Sequence, residues 1–147
     1  MGTHMTQQAG SDTLSTPAKI LLIDDDAQWL SLTSDLLAET ASDFDVVTAS
    51  SLATGRQQFT ERAFDCVVCD YRLGDGTGLE LLTEVRDAHP ELPFVLVTSR
   101  GDESVAADAI SQGVTDYIPK ELIRSDFDDP AESVLDTQLR QVIRSYR

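Results

Sequence analysis

The chain has 147 residues, of which 41% are hydrophobic; that is the size of one domain, large enough to bury a core without disulfides or a structural metal. Its formal net charge of −15 excludes nucleic acid as a direct ligand, because phosphate backbones are bound by cations. No run approaches the roughly 20 apolar residues of a membrane span and no signal-peptide pattern is present, so neither membrane insertion nor export is expected and the expected location is the cytoplasm.

Met1-Gly2-Thr3-His4-Met5 reads as a cloning scar. The stretch from Thr6 to Pro17, rich in Gln, Ser, Thr and Gly, has little to bury and reads as a disordered lead-in. Residues 1–17 are therefore set apart from a single domain over residues 18–147. Lys19 to Ile23 is a short apolar run without alternation, the pattern of a buried parallel strand, and it stops at Asp24-Asp25-Asp26. Ala27 to Ala41 carries Leu32, Leu36, Leu37 and Ala41 at helical spacing. Phe44 to Ala49 is a second strand, and Ser50 or Ser51 can cap a helix running to about Ala63. Asp65 to Cys69 is a third buried strand, ending at Asp70. Gly74 to Gly78 is a loop, followed by a helix from Leu79 to Ala88 with Leu81, Leu82 and Val85 inward. Pro93 to Val97 is a fourth strand, ending at Thr98. A weaker helix spans Asp102 to Gln112 and stops at Gly113. Thr115 to Ile118 is a fifth strand with Lys120 just beyond it, Glu121 to Asp129 is an acidic connection, and Pro130 opens a last helix that buries Val134, Leu135, Leu139, Val142 and Ile143. Strand and helix alternate throughout, which predicts an α/β fold: a doubly wound five-stranded parallel sheet with helices on both faces.

Two compositional features bear on chemistry. The acid is mostly Asp, and Lys19 and Lys120 are the only lysines; an Asp-rich, Lys-poor surface is the halophilic style, with a merely acidic protein as the plainer alternative. Cys66 and Cys69 form a C-x-x-C inside a strand. Residues three apart on a strand face opposite ways and lie about 10 Å apart, too far for a disulfide. Outside the scar the only histidine is His89, so the pair reads as buried core thiols, not as a zinc or redox site.

In such sheets, sites form beyond the carboxyl ends of the strands. There the sequence places Asp24, Asp25 and Asp26, then Asp70, Thr98 and Lys120. Any one of these acids could be a simple helix cap; Asp26 is expected to be one, with direct metal contact the lesser alternative. Together, acid, acid, hydroxyl and amine form a set. Crowded carboxylates demand a proton or a cation, and oxygen-only ligands suit Mg²⁺. A lysine pairs with a phosphoryl group, and a carboxylate can accept that group as an aspartyl phosphate.

The chain resembles the response-regulator receiver family from Lys19 to about Arg144. The pieces that carry the resemblance are Ile20-Leu-Leu-Ile-Asp24-Asp25-Asp26, Val67-Val-Cys-Asp70-Tyr-Arg-Leu, Gly78-Leu-Glu-Leu-Leu, Val95-Leu-Val-Thr98-Ser, and Asp116-Tyr117-Ile-Pro-Lys120, in the family's order. The resemblance implies a flavodoxin-like receiver fold and a phosphoprotein of two-component phosphorelay signalling. It implies Asp70 as phosphoacceptor and Mg²⁺ held by Asp25, Asp70 and the backbone carbonyl of Arg72, with Asp24 acting through a water. Lys120 and Thr98 would bind the phosphoryl group, and Thr98 and Tyr117 would form the linked switch. The implied partners are a sensor histidine kinase or phosphotransfer protein and an output domain or protein. The output would be met on the face of the fourth helix, fifth strand and last helix, residues 102–144, where receivers also pair as homodimers. The chain would not turn over outside substrates; its chemistry would be Mg²⁺-dependent self-phosphorylation and autodephosphorylation.

The sequence departs from the family in three places. Glu121 stands where a proline usually follows the lysine, and an acidic insertion runs on to Asp129. Leu73-Gly74 replaces the usual Met-Pro, which leaves that loop looser. Arg72 and Arg100 lie two residues beyond Asp70 and Thr98, where they either govern water access, and hence phosphoryl lifetime, or are solvated surface arginines. Two other readings compete. A haloacid-dehalogenase-like phosphatase would put the phosphoryl group on Asp24 of Asp24-x-Asp26, but the order of the remaining residues is wrong for it. A degenerate receiver acting only as a binding module would not need the full set of Asp24, Asp25, Asp70, Thr98 and Lys120. The chain is either a stand-alone receiver or one domain of a longer regulator or hybrid kinase.

Overall fold

The computed structural model describes Leu14 and residues 16–38, 43–99, 102, 104–129 and 133–147. Five strands form one sheet: β1 (Ala18–Ile23), β2 (Phe44–Ala49), β3 (Cys66–Asp70), β4 (Phe94–Thr98) and β5 (Asp116–Pro119). All are parallel, in the spatial order β2-β1-β3-β4-β5. The order reverses between β1 and β3, so the loops that leave these strands diverge and open a crevice. The helices are α1 (Ala27–Ala38), α2 (Leu52–Glu61), α3 (Gly78–Ala88), α4 (Val105–Ser111), α5 (Lys120–Arg124) and α6 (Val134–Tyr146).

Alternation along the strands divides the core in two. Ile20, Leu22, Cys66, Val68, Val95, Val97 and Ile118 pack with Trp29, Leu30, Leu36 and Leu37 of α1 and with Leu135, Leu139 and Ile143 of α6. Leu21, Ile23, Val67, Cys69, Phe94 and Leu96 pack on the other side with Leu52, Leu81, Leu82, Val85, Val105 and Ala109. The doubly wound fold therefore stands as read from the alternation of elements. Cys66 and Cys69 lie in opposite cores and are free thiols. Burial pushes both thiols well above their ordinary range, so they stay protonated and inert.

Several expectations need correction. Leu14 of the supposed lead-in is buried, and its N–H donates to Asp43 Oδ2 at 3.4 Å. The carbonyls of Thr16 and Pro17 accept from Arg147 at 2.8 and 3.3 Å, so the end of that stretch is in contact with the domain, while residues 1–13 and Ser15 lie outside the described residues. Leu32 is 42% exposed; α1 turns Trp29, Leu30, Thr33, Leu36 and Leu37 inward instead, and Ala41 lies outside the described residues. The supposed acidic connection contains α5 and a 3₁₀ turn at Ser125–Phe127. From that turn the buried Asp126 accepts the Ser133 hydroxyl and the Val134 and Leu135 N–H groups at 2.8–3.0 Å. The two N–H groups are orphan donors of the first turn of α6. Ser133 adds its own cap on the Asp136 N–H at 2.9 Å. The helix therefore starts after Ser133 rather than at Pro130, which lies outside the described residues.

The loop after Asp70 is tied down rather than loose. Arg72–Leu73 pairs antiparallel with Gly76–Thr77, and Asp75 accepts from the Leu52 and Ala53 N–H groups at 2.8 and 3.0 Å. These bonds hold the Asp75 carboxyl below its ordinary range. Leu73 is buried where the family's methionine usually stands, so an apolar anchor remains.

Candidate functional site

Each candidate residue sits at the carboxyl edge of the sheet because its strand ends there. Asp70 is the last residue of β3 and Thr98 the last of β4, while Asp24 follows β1 and Lys120 follows β5 as the first residue of α5. Asp24, Asp70, Thr98 and Lys120 are all buried, whereas Asp25 is exposed. Lys120 Nζ lies 2.8 Å from Asp24 Oδ2 and 3.3 Å from Asp70 Oδ2. Residues 50 positions apart in sequence thus meet in one buried ion-paired group.

Gly78 makes that edge buildable. A Cβ there would sit 2.5 Å from the carbonyl oxygen of Asp70 and 3.1 Å from Cys69 Sγ. The Gly78 N–H donates to the Tyr71 carbonyl at 2.8 Å. The start of α3 can lie this close to the acceptor strand only without a side chain. Asp26 is a helix cap, as expected: its Oδ1 accepts from the N–H groups of Gln28 at 3.0 Å and Trp29 at 3.1 Å. Its own N–H donates to Asp24 Oδ1 at 2.9 Å, which orients that carboxylate.

Electrostatics set the chemistry. Burial, and then repulsion from Asp24, push the Asp70 carboxyl up from 3.8 to about 6, while Lys120 pulls it back down. Burial alone would lower the Lys120 ammonium, but its bonds to Asp24 and Asp70 more than offset this and hold it above its ordinary value. One oxygen from each of Asp24, Asp25 and Asp70 can be chosen so that all lie within 4.8 Å of one another. Asp70 Oδ1 is buried and accepts no hydrogen bond from the described residues. An orphaned anionic acceptor among oxygen-only donors is what a hard divalent cation satisfies, so the pocket is compatible with a metal such as Mg²⁺.

Thr98 and Tyr117 lie on the same face of the sheet. Tyr117 is paired with Leu96, and Thr98, two residues further along β4, shares the face of Leu96. Tyr117 is half-buried.

Sequence reasoning missed two neighbours of the site. Asp102 is buried and holds Arg72, with Nη2 to Oδ1 at 2.7 Å and Nε to Oδ1 at 2.9 Å. Arg72 is a surface arginine, its side chain 71% exposed, and through this ion pair it joins the segment after β3 to the segment after β4. Arg100 lies outside the described residues. The second neighbour is Trp29, whose ring centroid lies 4.7 Å from Lys120 Nζ. Its signal was its position, three residues beyond the capping Asp26 on the first turn of α1.

Residues 20–130 match the model of the response regulator receiver domain. Over 104 residues the chain is 34% identical to the transcriptional regulatory protein GlrR of Escherichia coli K12, covering 71% of this chain and 23% of that protein. The chain thus spans about a quarter of the length of that curated relative. The crystal structure of a response regulator receiver domain protein from Clostridium thermocellum superposes with a TM-score of 0.70 at 27% identity, over 88% of this chain and 93% of that one. A CheY-like receiver domain protein from Methanospirillum hungatei, at 21% identity, has a TM-score of 0.76 over 89% of this chain and 97% of that one, and shares the fold. With its five-stranded parallel sheet and the matched span, this chain belongs to the response-regulator receiver domains of two-component systems.

Proposed function

We propose that Asp70 is the phosphoacceptor and that the chain takes a phosphoryl group from a histidine kinase or phosphotransfer protein. The observation that supports this most strongly is the orphaned, buried Asp70 Oδ1 beside Asp24, Asp25 and Lys120. Asp25, Asp70 and the backbone carbonyl of Arg72 would hold Mg²⁺ directly, with Asp24 acting through a water. When bound, the ion would neutralise charge on the phosphoryl oxygens. A carboxylate oxygen of Asp70 forms the new bond to phosphorus as the phosphorus–nitrogen bond of a phosphohistidine breaks. The bonding pair leaves with the imidazole, which remains with the donor protein. Lys120 follows the charge from the carboxylate to the phosphoryl oxygens. Thr98 then turns toward the modified residue and Tyr117 enters the space it vacates, because both occupy one face of the sheet.

The output face is residues 102–144, which include α4, β5 and α6; there an output domain, a separate protein or a second copy of the chain would bind. Asp70 acts once per phosphoryl group received, so the protein is a switch and not a turnover enzyme. No helix among the described residues is long and apolar enough to cross a membrane, and the proposed setting is the cytoplasm.

Acetyl phosphate with Mg²⁺ should produce a label that hydroxylamine releases, as an acyl phosphate requires, and none in EDTA. A hydroxylamine-stable label, or steady hydrolysis of p-nitrophenyl phosphate, would favour a different chemistry.

A further inference from the structure

We infer that Trp29 is a positioning residue for phosphoryl transfer, its indole face holding the Lys120 ammonium where the incoming phosphoryl group needs it. This rests on the phosphoacceptor reading above. Lys120 Nζ lies 4.7 Å from the Trp29 ring centroid, and the lysine side chain is 9% exposed. A cation that close to an indole is attracted by the ring's electron-rich face, most strongly when water is excluded. The ring itself is fixed. Trp29 is buried, and Phe127 packs against it edge to face, with centroids 5.3 Å apart at 74°. The Arg124 guanidinium lies 5.6 Å from the same ring. The α5 and 3₁₀ segment therefore clamps the tryptophan that faces the lysine.

Lys120 has two carboxylate partners, Asp24 and Asp70. Phosphoryl transfer converts the Asp70 carboxylate to an acyl phosphate, and divalent-cation binding competes for Asp24. The indole is altered by neither event. It keeps the ammonium at the phosphoryl end of the pocket while the other two contacts change.

The chain has one tryptophan, so replacing tryptophan biosynthetically or by site-specific incorporation alters position 29 alone. Ring fluorines withdraw charge from the indole face with little change of shape. Proteins carrying one to four ring fluorines should accept phosphate from acetyl phosphate progressively more slowly, by roughly tenfold at the end of the series, equivalent to ~1.4 kcal/mol. Their melting temperatures should fall by a few degrees at most, with cooperative unfolding retained. Trp29→Leu should lose the upfield ring-current shift of the Lys120 Cε protons that the unmodified protein shows, and Trp29→Phe should retain part of it. Equal rates across the fluorinated series, or a Lys120 signal without a ring-current shift in the unmodified protein, would overturn the role of Trp29. If the unmodified protein is never labelled, the phosphoacceptor reading itself falls and takes this inference with it. If it is labelled but the fluorinated forms match it, only the role of Trp29 falls.

Discussion

Removing the charge at Asp70 should stabilise the metal-free protein. In the folded state this carboxyl is pushed up from 3.8 to about 6, first by burial and then by Asp24; unfolded, it returns to about 3.9. The folded state therefore holds the extra proton between those values, and stability falls as pH rises through about 4 to 6, then stays reduced. At 1.36 kcal/mol per pH unit the penalty reaches ~3 kcal/mol. The pull of Lys120, 3.3 Å away, is already contained in that shift, so Asp70→Asn, which stands in for the protonated carboxyl, should gain up to ~3 kcal/mol. In EDTA at about pH 8 the variant should melt ~6–12 °C higher, and the advantage should vanish below about pH 4. Paired thermal and urea denaturation across this range measures it. A variant less stable than the parent at pH 8, or a gain independent of pH, would refute the electrostatic account of the site.

Asp126→Ala strips the first turn of α6 of its buried acceptor and should cost ~2–4 kcal/mol in urea denaturation; a loss under ~1 kcal/mol would mean that Ser133 caps the helix unaided. Gly78→Ala places a methyl 2.5 Å from the Asp70 carbonyl oxygen, and the resulting backbone shift should cost ~1–3 kcal/mol and slow labelling of Asp70; a parent-like melting curve would deny the close approach. Arg72→Ala leaves the buried Asp102 without its cation and frees the segment after β4. Stability should fall, because Asp102 is left buried without its partner, and the phosphoryl lifetime should shorten as water gains access; an unchanged lifetime would leave the arginine with a structural part only.

The strands and the strand-end residues were legible because both follow from local pattern. An unalternating apolar run that ends in Asp, Thr or a solitary Lys is complete within a few residues, and the parallel fold then assembles the ends. The features that were not legible depend on partners far away in sequence. Nothing near Asp126 marks it as the cap of a helix that starts at Val134; its stretch reads as solvated acid until the 3₁₀ turn places it. The same holds for Asp102, which meets Arg72 from 30 residues away. Leu32 was misassigned because helical spacing fixes a stripe but not which neighbours cover it, and the neighbours cover Trp29 and Thr33 instead. Leu14 sits in a polar stretch whose composition outweighed its one large apolar side chain.

The most direct test of the central claim is intact mass after incubation with acetyl phosphate and Mg²⁺, run on the parent protein beside Asp70→Asn and Asp24→Asn. The account predicts one added phosphoryl group on the parent, none on Asp70→Asn, and slower labelling of Asp24→Asn. Undiminished labelling of Asp70→Asn, or its loss in Asp24→Asn alone, would contradict it and move the acceptor to the end of β1.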